Sequence, residues 1–177
     1  MRVNKRLKSV GKVILIIAAC FFIFSQIVPS INSSGPKISK NSSKKTFEPS
    51  FIKEGIGYFL SNLGDTIAKF QIELAESNKD IQIGMMWRKK MSKDMGMLFL
   101  MPEEKIQSFW MKNTYLPLDI IYINSENRVV SVIDNAKPMS ESPMPSKEPA
   151  IFILEISGGE CAKLGIQPGN LWTWKRN

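Results

Sequence analysis

The stretch FWMKNTYLPLD, residues 109–119, gathers most of the polar groups that could recognise a ligand. Trp110 offers a large ring, three polar residues follow Met111 at once, and a carboxylate opens the next apolar run. In a hairpin these side chains would converge at one end of a sheet, where ligand sites commonly lie. The predicted ligand-binding residues are Trp110, Lys112, Asn113, Thr114, Asp119 and Arg88.

The same residues also have a purely structural interpretation. Asn113 and Thr114 could close a turn, because such side chains readily bond backbone groups. Asp119 could accept hydrogen bonds from loop amides or pair with Lys112 or Arg88, and Arg88 could equally lie on a solvated face. Buried polar groups must find partners whether or not a ligand binds, so both interpretations stay open.

Catalysis by imidazole is excluded, because the chain contains no histidine. Ser/His/Asp and Cys/His nucleophile systems and imidazole-ligated metal sites therefore drop out. Asp119 and Glu155, on predicted neighbouring strands, are the candidate acid and base of a hydrolase-type enzyme. Alternation alone does not show that they face each other, and a domain of about 110 residues leaves little room for a substrate cleft. The enzyme is therefore an alternative to a binding function.

Methionine supports a second alternative, a copper-binding protein. Three thioethers lie close together at Met91, Met95 and Met97, and Met139 and Met144 lie within the proline-rich loop at 138–149. Outside the cytoplasm such thioethers can hold Cu(I). Core filling is the favoured role, however, since methionines such as those at 85, 86, 97 and 101 lie within apolar runs. We predict no metal and no cofactor.

The N-terminus has the pattern of a membrane-targeting segment. Residues 1–12 are basic, and Val13–Phe24 contains no polar residue. Positive charge before an apolar run places the following chain outside the cytoplasm, in the periplasm or at the cell surface. We predict a signal anchor over residues 1–30 that remains attached, with cleavage and secretion as the alternative. Residues 31–50, rich in Ser, Lys, Asn and Pro, are predicted to be a flexible linker.

The excess positive charge belongs to this N-terminal part. Nine of the 24 basic residues but only one of the 16 acidic residues lie within the first 50 residues, so residues 51–177 carry no net charge. A basic surface is the usual footprint of nucleic-acid binding. The charge distribution therefore argues against a nucleic-acid partner.

Residues 51–177 are predicted to form one mainly β domain of α+β type. Short apolar or alternating runs separated by turn residues indicate six to seven strands and one or two short helices, in a compact antiparallel barrel or sandwich. The predicted helices are 51–64, 77–86 and a single turn at 158–164, and the predicted strands are 68–74, 97–101, 108–111, 118–123, 128–133, 150–156 and 171–174.

Several motifs together carry a family resemblance. In order they are GMMWR at 84–88, GMLF at 96–99, FWMKNT at 109–114, PLD at 117–119, Leu154 with Glu155, and Gly165-Ile166 followed by Pro168-Gly169. The chain resembles, over about residues 66–174, the family called domain of unknown function 192. The resemblance implies a small, often exported β-rich domain whose biochemical activity is not established.

The resemblance also bears on the cysteines. The family often has two cysteines after the fifth strand, where this chain has Met139 and Met144. The cysteines here are Cys20, in the leader, and Cys161. We therefore predict no disulfide within the domain and one buried, unreactive thiol at Cys161.

These observations predict a membrane-tethered extracytoplasmic binding or accessory module. Its partners would be the membrane, through the N-terminal segment, and an unidentified small ligand or protein.

Overall fold

The computed structural model describes residues 48–177, which form a seven-stranded sheet, a two-stranded sheet and two short helices. The predicted signal anchor and all but the end of the predicted linker lie outside the described residues. Within 48–177 no helix is long and apolar enough to cross a membrane. In chain order the elements are β1 Gly55–Leu60, β2 Thr66–Ala75, α1 Asn78–Ile83, β3 Met95–Lys105, β4 Ser108–Phe109, β5 Leu118–Ile123, β6 Val129–Ala136, β7 Met144–Pro145, β8 Ala150–Ser157, α2 Glu160–Leu164 and β9 Leu171–Arg176.

The large sheet has the strand order β6-β5-β8-β3-β2-β1-β9 and is mixed. Strands β2 and β3 pair in parallel, whereas the other neighbouring pairs are antiparallel. The antiparallel pairing that the sequence predicts is therefore wrong only at this one pair. Parallel neighbours need a long crossover, and residues 76–94, which include α1, supply it.

The predicted closed barrel is also not formed. The sheet curls until its edge strands meet at one end, where Arg128 forms an isolated bridge with Leu171. The Val129 amide donates to the Asn170 carbonyl at 3.0 Å in the same place. Along the rest of β6 and β9, the described residues form no ladder between the two edges. One curled sheet with a small β4–β7 sheet thus replaces the predicted barrel or sandwich.

The predicted helix over residues 51–64 is in fact strand β1. Gly55, Gly57 and Phe59 alternate inward, but two of these three positions have no side chain. A Cβ at Gly57 would lie 1.9 Å from Cη2 of Trp172, so the Trp172 ring fills the space that a side chain would occupy. The sequence therefore does not show the alternation of apolar side chains that a strand with one buried face usually has. The remaining apolar residues have a spacing close to that of a helix.

Two hydrophobic cores lie on opposite faces of the sheet. The inner core, on the side enclosed by the curl, draws on all seven strands of the sheet and includes Phe59, Phe70, Leu98, Ile121, Val129, Leu154 and Trp172. The outer core includes Met85, Met97, Phe99, Met111, Ile120, Tyr122 and Ile153. Because both faces are covered, all six residues of β5 are buried.

Several predicted elements are confirmed. Strand β2 buries Phe70, Ile72 and Leu74 on one face, as its alternation predicts. Helix α1 begins after Ser77, whose hydroxyl oxygen accepts a hydrogen bond from the Asp80 amide at 3.1 Å. It ends at Ile83, three residues before the predicted end. Gly165, in the left-handed conformation, ends α2 where the sequence placed the end.

Candidate functional site

The register of β5 and β8 separates the two carboxylates that the sequence offered as an acid–base pair. Asp119 lies opposite Ile156, and Glu155 lies opposite Ile120. Since successive side chains in a strand point to opposite faces, Asp119 points into the inner core and Glu155 points into the outer core. The structure does not bring the two carboxylates together in one cleft.

Asp119 holds together three backbone segments. Its Oδ1 accepts hydrogen bonds from the amides of Asn135 at 2.7 Å and Gly159 at 2.8 Å. Its Oδ2 accepts one from the Cys161 amide at 2.7 Å. The side chain is fully buried, so these bonds replace water as partners of the carboxylate. Asp119 therefore has the structural role that was one of its two interpretations from the sequence: its carboxylate accepts hydrogen bonds from loop amides.

A second group of possible ligand atoms surrounds Asp119. The ligand atoms of Asp119, Asp134 and Cys161 lie within 4.8 Å of one another. The Asp119 oxygens already accept three amides, however, and burial raises the pKa of the Cys161 thiol, with the charge of Asp119 adding to the effect. The thiol therefore stays protonated, as predicted for an unreactive cysteine. Cys161 is buried and free of any disulfide.

A cleft of about 280 Å³ opens on the outer face of the sheet. One wall comes from the end of α1 and the turn after it, a second from β3, and a third from β4 with the residue that follows. Most of the lining side chains are aliphatic, aromatic or thioether groups, which is typical of small-ligand sites. The lining residues are Ile81, Gln82, Ile83, Gly84, Met85, Met86, Phe99, Met101, Gln107, Ser108, Phe109, Trp110, Thr114 and Glu155.

Glu155 lies at the floor of this cleft. It is 4% exposed, and its neighbours on the adjacent strands, Met97 and Ile120, are apolar. No hydrogen bond between residues 48–177 involves its carboxylate, which faces the cleft. Burial raises the pKa of Glu155 to about 8, although the positive charge of Arg88 opposes the shift. At neutral pH the carboxyl is therefore mainly protonated.

Arg88 is buried and does not line the cleft. Its guanidinium donates two hydrogen bonds to Glu73, at 2.9 and 2.7 Å, in a bidentate ion pair. Its Nε is buried and has no partner within residues 48–177. The Arg88 charge is therefore largely matched by Glu73, and Glu155 has no ion-pair partner of its own.

The structure brings only part of the predicted ligand-binding set to the cleft. Trp110 and Thr114 line it. Lys112 lies over the Trp110 ring, 5.1 Å from its centroid, and pairs with Glu141 at 3.5 Å. The remaining members, Asn113, Asp119 and Arg88, lie outside the cleft lining.

The turn at Asn113 and Thr114 is held by strained residues. Trp87 and Met139 have φ angles of 62° and 60°, in the left-handed region that bulky side chains rarely adopt. The Trp87 amide donates to the Asn113 carbonyl at 2.9 Å, and the Met139 amide donates to the Thr114 carbonyl at 3.1 Å. Such strain clusters at functional sites, where the surrounding structure has to sustain it.

Sequence reasoning missed the wall formed by residues 81–86 and the role of Glu155 as the floor of a cleft. One signal for Glu155 was present, because it is the only charged residue in the apolar strand AIFILEIS. The methionines proposed for copper divide between environments. Met97 is buried in the outer core, whereas Met139 is 54% exposed.

Replacing Asp119 by Asn should destabilise the fold. The carboxylate would lose its charge and one acceptor oxygen would become a donor facing an amide, so we expect a loss of about 1 to 3 kcal/mol. Chemical denaturation of the full chain measures it. Asp134→Asn, an exposed neighbour of the same type, serves as the matched control and should change stability by less than about 0.5 kcal/mol. An Asp119→Asn protein that unfolds like the wild type would contradict the assigned role.

Glu155 should make stability depend on pH. Its pKa in the folded protein is about 8, against an ordinary value of 4.5, so the folded state holds a proton that the unfolded chain has released. The contribution of Glu155 to stability is then fully present below about pH 4.5 and is lost as pH rises towards about 8. With no histidine in the chain, few other groups titrate in this window.

Thermal unfolding of Glu155→Gln between pH 5 and pH 8.5 tests this dependence. The variant should lose most of the decline and melt above the wild type at pH 8.5. Glu126→Gln, which removes an exposed carboxylate, should keep the wild-type slope. Equal slopes in wild type and Glu155→Gln would refute the raised pKa.

Comparisons with known proteins agree with the sequence motifs. The family description "Uncharacterized ACR" (DUF192) matches residues 60–174. A crystal structure of a protein of unknown function from Novosphingobium aromaticivorans is 36% identical, with a TM-score of 0.64, over 67% of this chain and 84% of that one. A putative transcription regulator from Sinorhizobium meliloti is also 36% identical, with a TM-score of 0.66, over 72% of this chain and 98% of that one. No curated protein matches the sequence. The chain belongs to the DUF192 family.

Proposed function

We propose that this protein is a membrane-tethered extracytoplasmic module that binds a small ligand in the cleft beneath α1. The observation that carries the proposal is Glu155, a buried carboxyl without a hydrogen-bond partner in the described residues, at the floor of an apolar cleft. A carboxyl that faces an apolar cleft and has no hydrogen-bond partner from the described residues is the kind of polar group that orients a bound ligand.

The walls of the cleft support binding in a second way. Gly84, at its rim, has a φ of 48°, and a Cβ there would lie 3.0 Å from Cζ of Phe99. The strained Trp87 follows three residues later, and its amide bonds to the turn that carries Thr114. Strain and close approach concentrated at one cleft are typical of a site that is shaped for a ligand.

Other functions find less support. The two carboxylates needed for a hydrolase lie on opposite faces of the sheet. The Sinorhizobium meliloti relative is described as a putative transcription regulator. Residues 51–177 of this chain carry no net charge, however, and nucleic-acid binding usually relies on a basic surface.

The tether and the compartment are inferred from the leader alone. The basic residues before Val13–Phe24 favour export of the domain with the apolar segment kept in the membrane. Secretion after cleavage is the alternative. If the partner is a protein instead of a small ligand, we expect it to contact the segment after β4, where Trp110 and Tyr115 are each 47% exposed.

Filling the cleft from its rim should abolish ligand binding. Ser108 is exposed and lines the cleft, so Ser108→Trp adds a ring there without disturbing a core. Ser142→Trp, in an exposed loop away from the lining, is the matched control. We expect ligand-observed NMR with a fragment library to identify small, mostly apolar fragments that bind the wild type and Ser142→Trp but not Ser108→Trp. Fragments that bind all three proteins equally would place the site elsewhere.

The intact mass of protein extracted from membranes tests the tether. We expect a mass that includes residues 1–30, because the apolar segment is followed by no small-residue cleavage site of the usual form. Protein recovered without roughly the first 25 to 30 residues would favour the secreted alternative.

A further inference from the structure

The charges around the cleft are paired, with one exception. Glu155 is the only ionisable side chain among the described residues that line it. The nearest cations have partners, because Arg88 binds Glu73 and Lys112 pairs with Glu141. An ionised Glu155 would therefore be left as an uncompensated negative charge in an apolar surrounding.

We infer that the cleft accepts a small organic cation, an apolar body bearing one ammonium group that pairs with the Glu155 carboxylate. This inference rests on the proposed binding function and names its ligand class. A carboxylate offers about four lone-pair sites and an ammonium group offers three N–H donors, so the two groups match in charge and in hydrogen bonding. An anionic ligand would meet no unpaired cation among the lining residues.

The lining is also suited to a cation. The rings of Phe99 and Phe109 pack edge to face, with centroids 4.9 Å apart, beside the floor of the cleft. Trp110 stands at its rim, where the ring already has the Lys112 ammonium 5.1 Å from its centroid. Aromatic faces attract cations through their quadrupole, and more strongly where water is excluded.

Binding would be coupled to proton release. The charge of Arg88 acts on Glu155, and Glu155 in turn acts on Tyr122, whose hydroxyl donates to the Met144 carbonyl and whose pKa is raised first by burial and then by Glu155. Tyr122 therefore stays neutral, and Arg88 keeps its partner Glu73. When an alkylammonium ion enters at pH 7, the protonated Glu155 loses its proton to solvent and forms the ion pair, so one proton is released for each cation bound.

Isothermal titration of the full chain with three probes of one shape tests the inference. The probes are n-hexylammonium, n-hexanol and hexanoate, each measured at pH 7 in two buffers that differ in ionisation enthalpy. We expect n-hexylammonium to bind at least about tenfold more tightly than the other two. The buffer dependence should report release of close to one proton.

Variants assign the effect to Glu155. Glu155→Gln should bind n-hexylammonium at least about tenfold more weakly, release no proton and keep its affinity for n-hexanol. Its thermal unfolding verifies that it is folded. Glu126→Gln should match the wild type in every measurement.

The outcomes separate the two claims. If n-hexanol or hexanoate binds the wild type as tightly as n-hexylammonium, the inference of a cationic ligand is overturned and the binding function stands. If Glu155→Gln keeps full affinity for n-hexylammonium, the cation inference is likewise overturned. If none of the three probes binds, the cation inference fails, and the fragment experiment with Ser108→Trp decides the binding function independently.

Discussion

The burial of β5 and β8 on both faces is the constraint on which the rest of the structure depends. A strand in the middle of a curled sheet faces the enclosed core on one side, and in this protein the other side is covered as well. Any polar residue placed in these strands must therefore find a partner inside the protein or bear the cost of desolvation. Asp119 and Glu155, on neighbouring strands and opposite faces, meet this constraint in opposite ways.

On the inner face the carboxylate is fully satisfied. Asp119 receives three amide hydrogen bonds that connect the end of β6 with the turn into α2, so its burial contributes to the fold. On the outer face Glu155 receives none within the described chain, and its raised pKa reflects that burial. A buried polar group without a hydrogen-bond partner reduces stability. This asymmetry is the reason that we assign Asp119 to the fold and propose Glu155 for a binding site.

The sequence predicted those parts of the fold in which side chains report their environment directly. Strand β2 alternates because one of its faces is buried, and Ser77 and Gly165 mark helix ends by local chemistry. Strand β1 escaped prediction because Gly57 leaves its inward position to the ring of Trp172, a residue more than 100 positions away. The parallel pairing of β2 and β3 was readable in principle, since a helix between two strands is the usual crossover.

The site was less accessible to sequence reasoning, for a geometric reason. The polar cluster around residues 110–119 was recognised. Successive residues of a strand point to opposite faces, however, so a shift of one position along the strand decides whether a side chain faces the inner or the outer core. Neighbouring strands that are each buried on both faces show no alternation from which that choice can be read. Glu155 and Asp119 therefore looked equivalent until the register was known.

The strained backbone residues point to the same cleft as Glu155, by an argument that does not depend on charge. Of the five residues other than glycine with positive φ in the described chain, three are asparagines, which tolerate that conformation. The other two, Trp87 and Met139, donate their amides to consecutive carbonyls of the turn that borders the cleft. Backbone strain lowers stability, and here it borders the same outer-face cleft as the carboxyl that receives no hydrogen bond from the described residues, so both observations support the ligand site that we propose there.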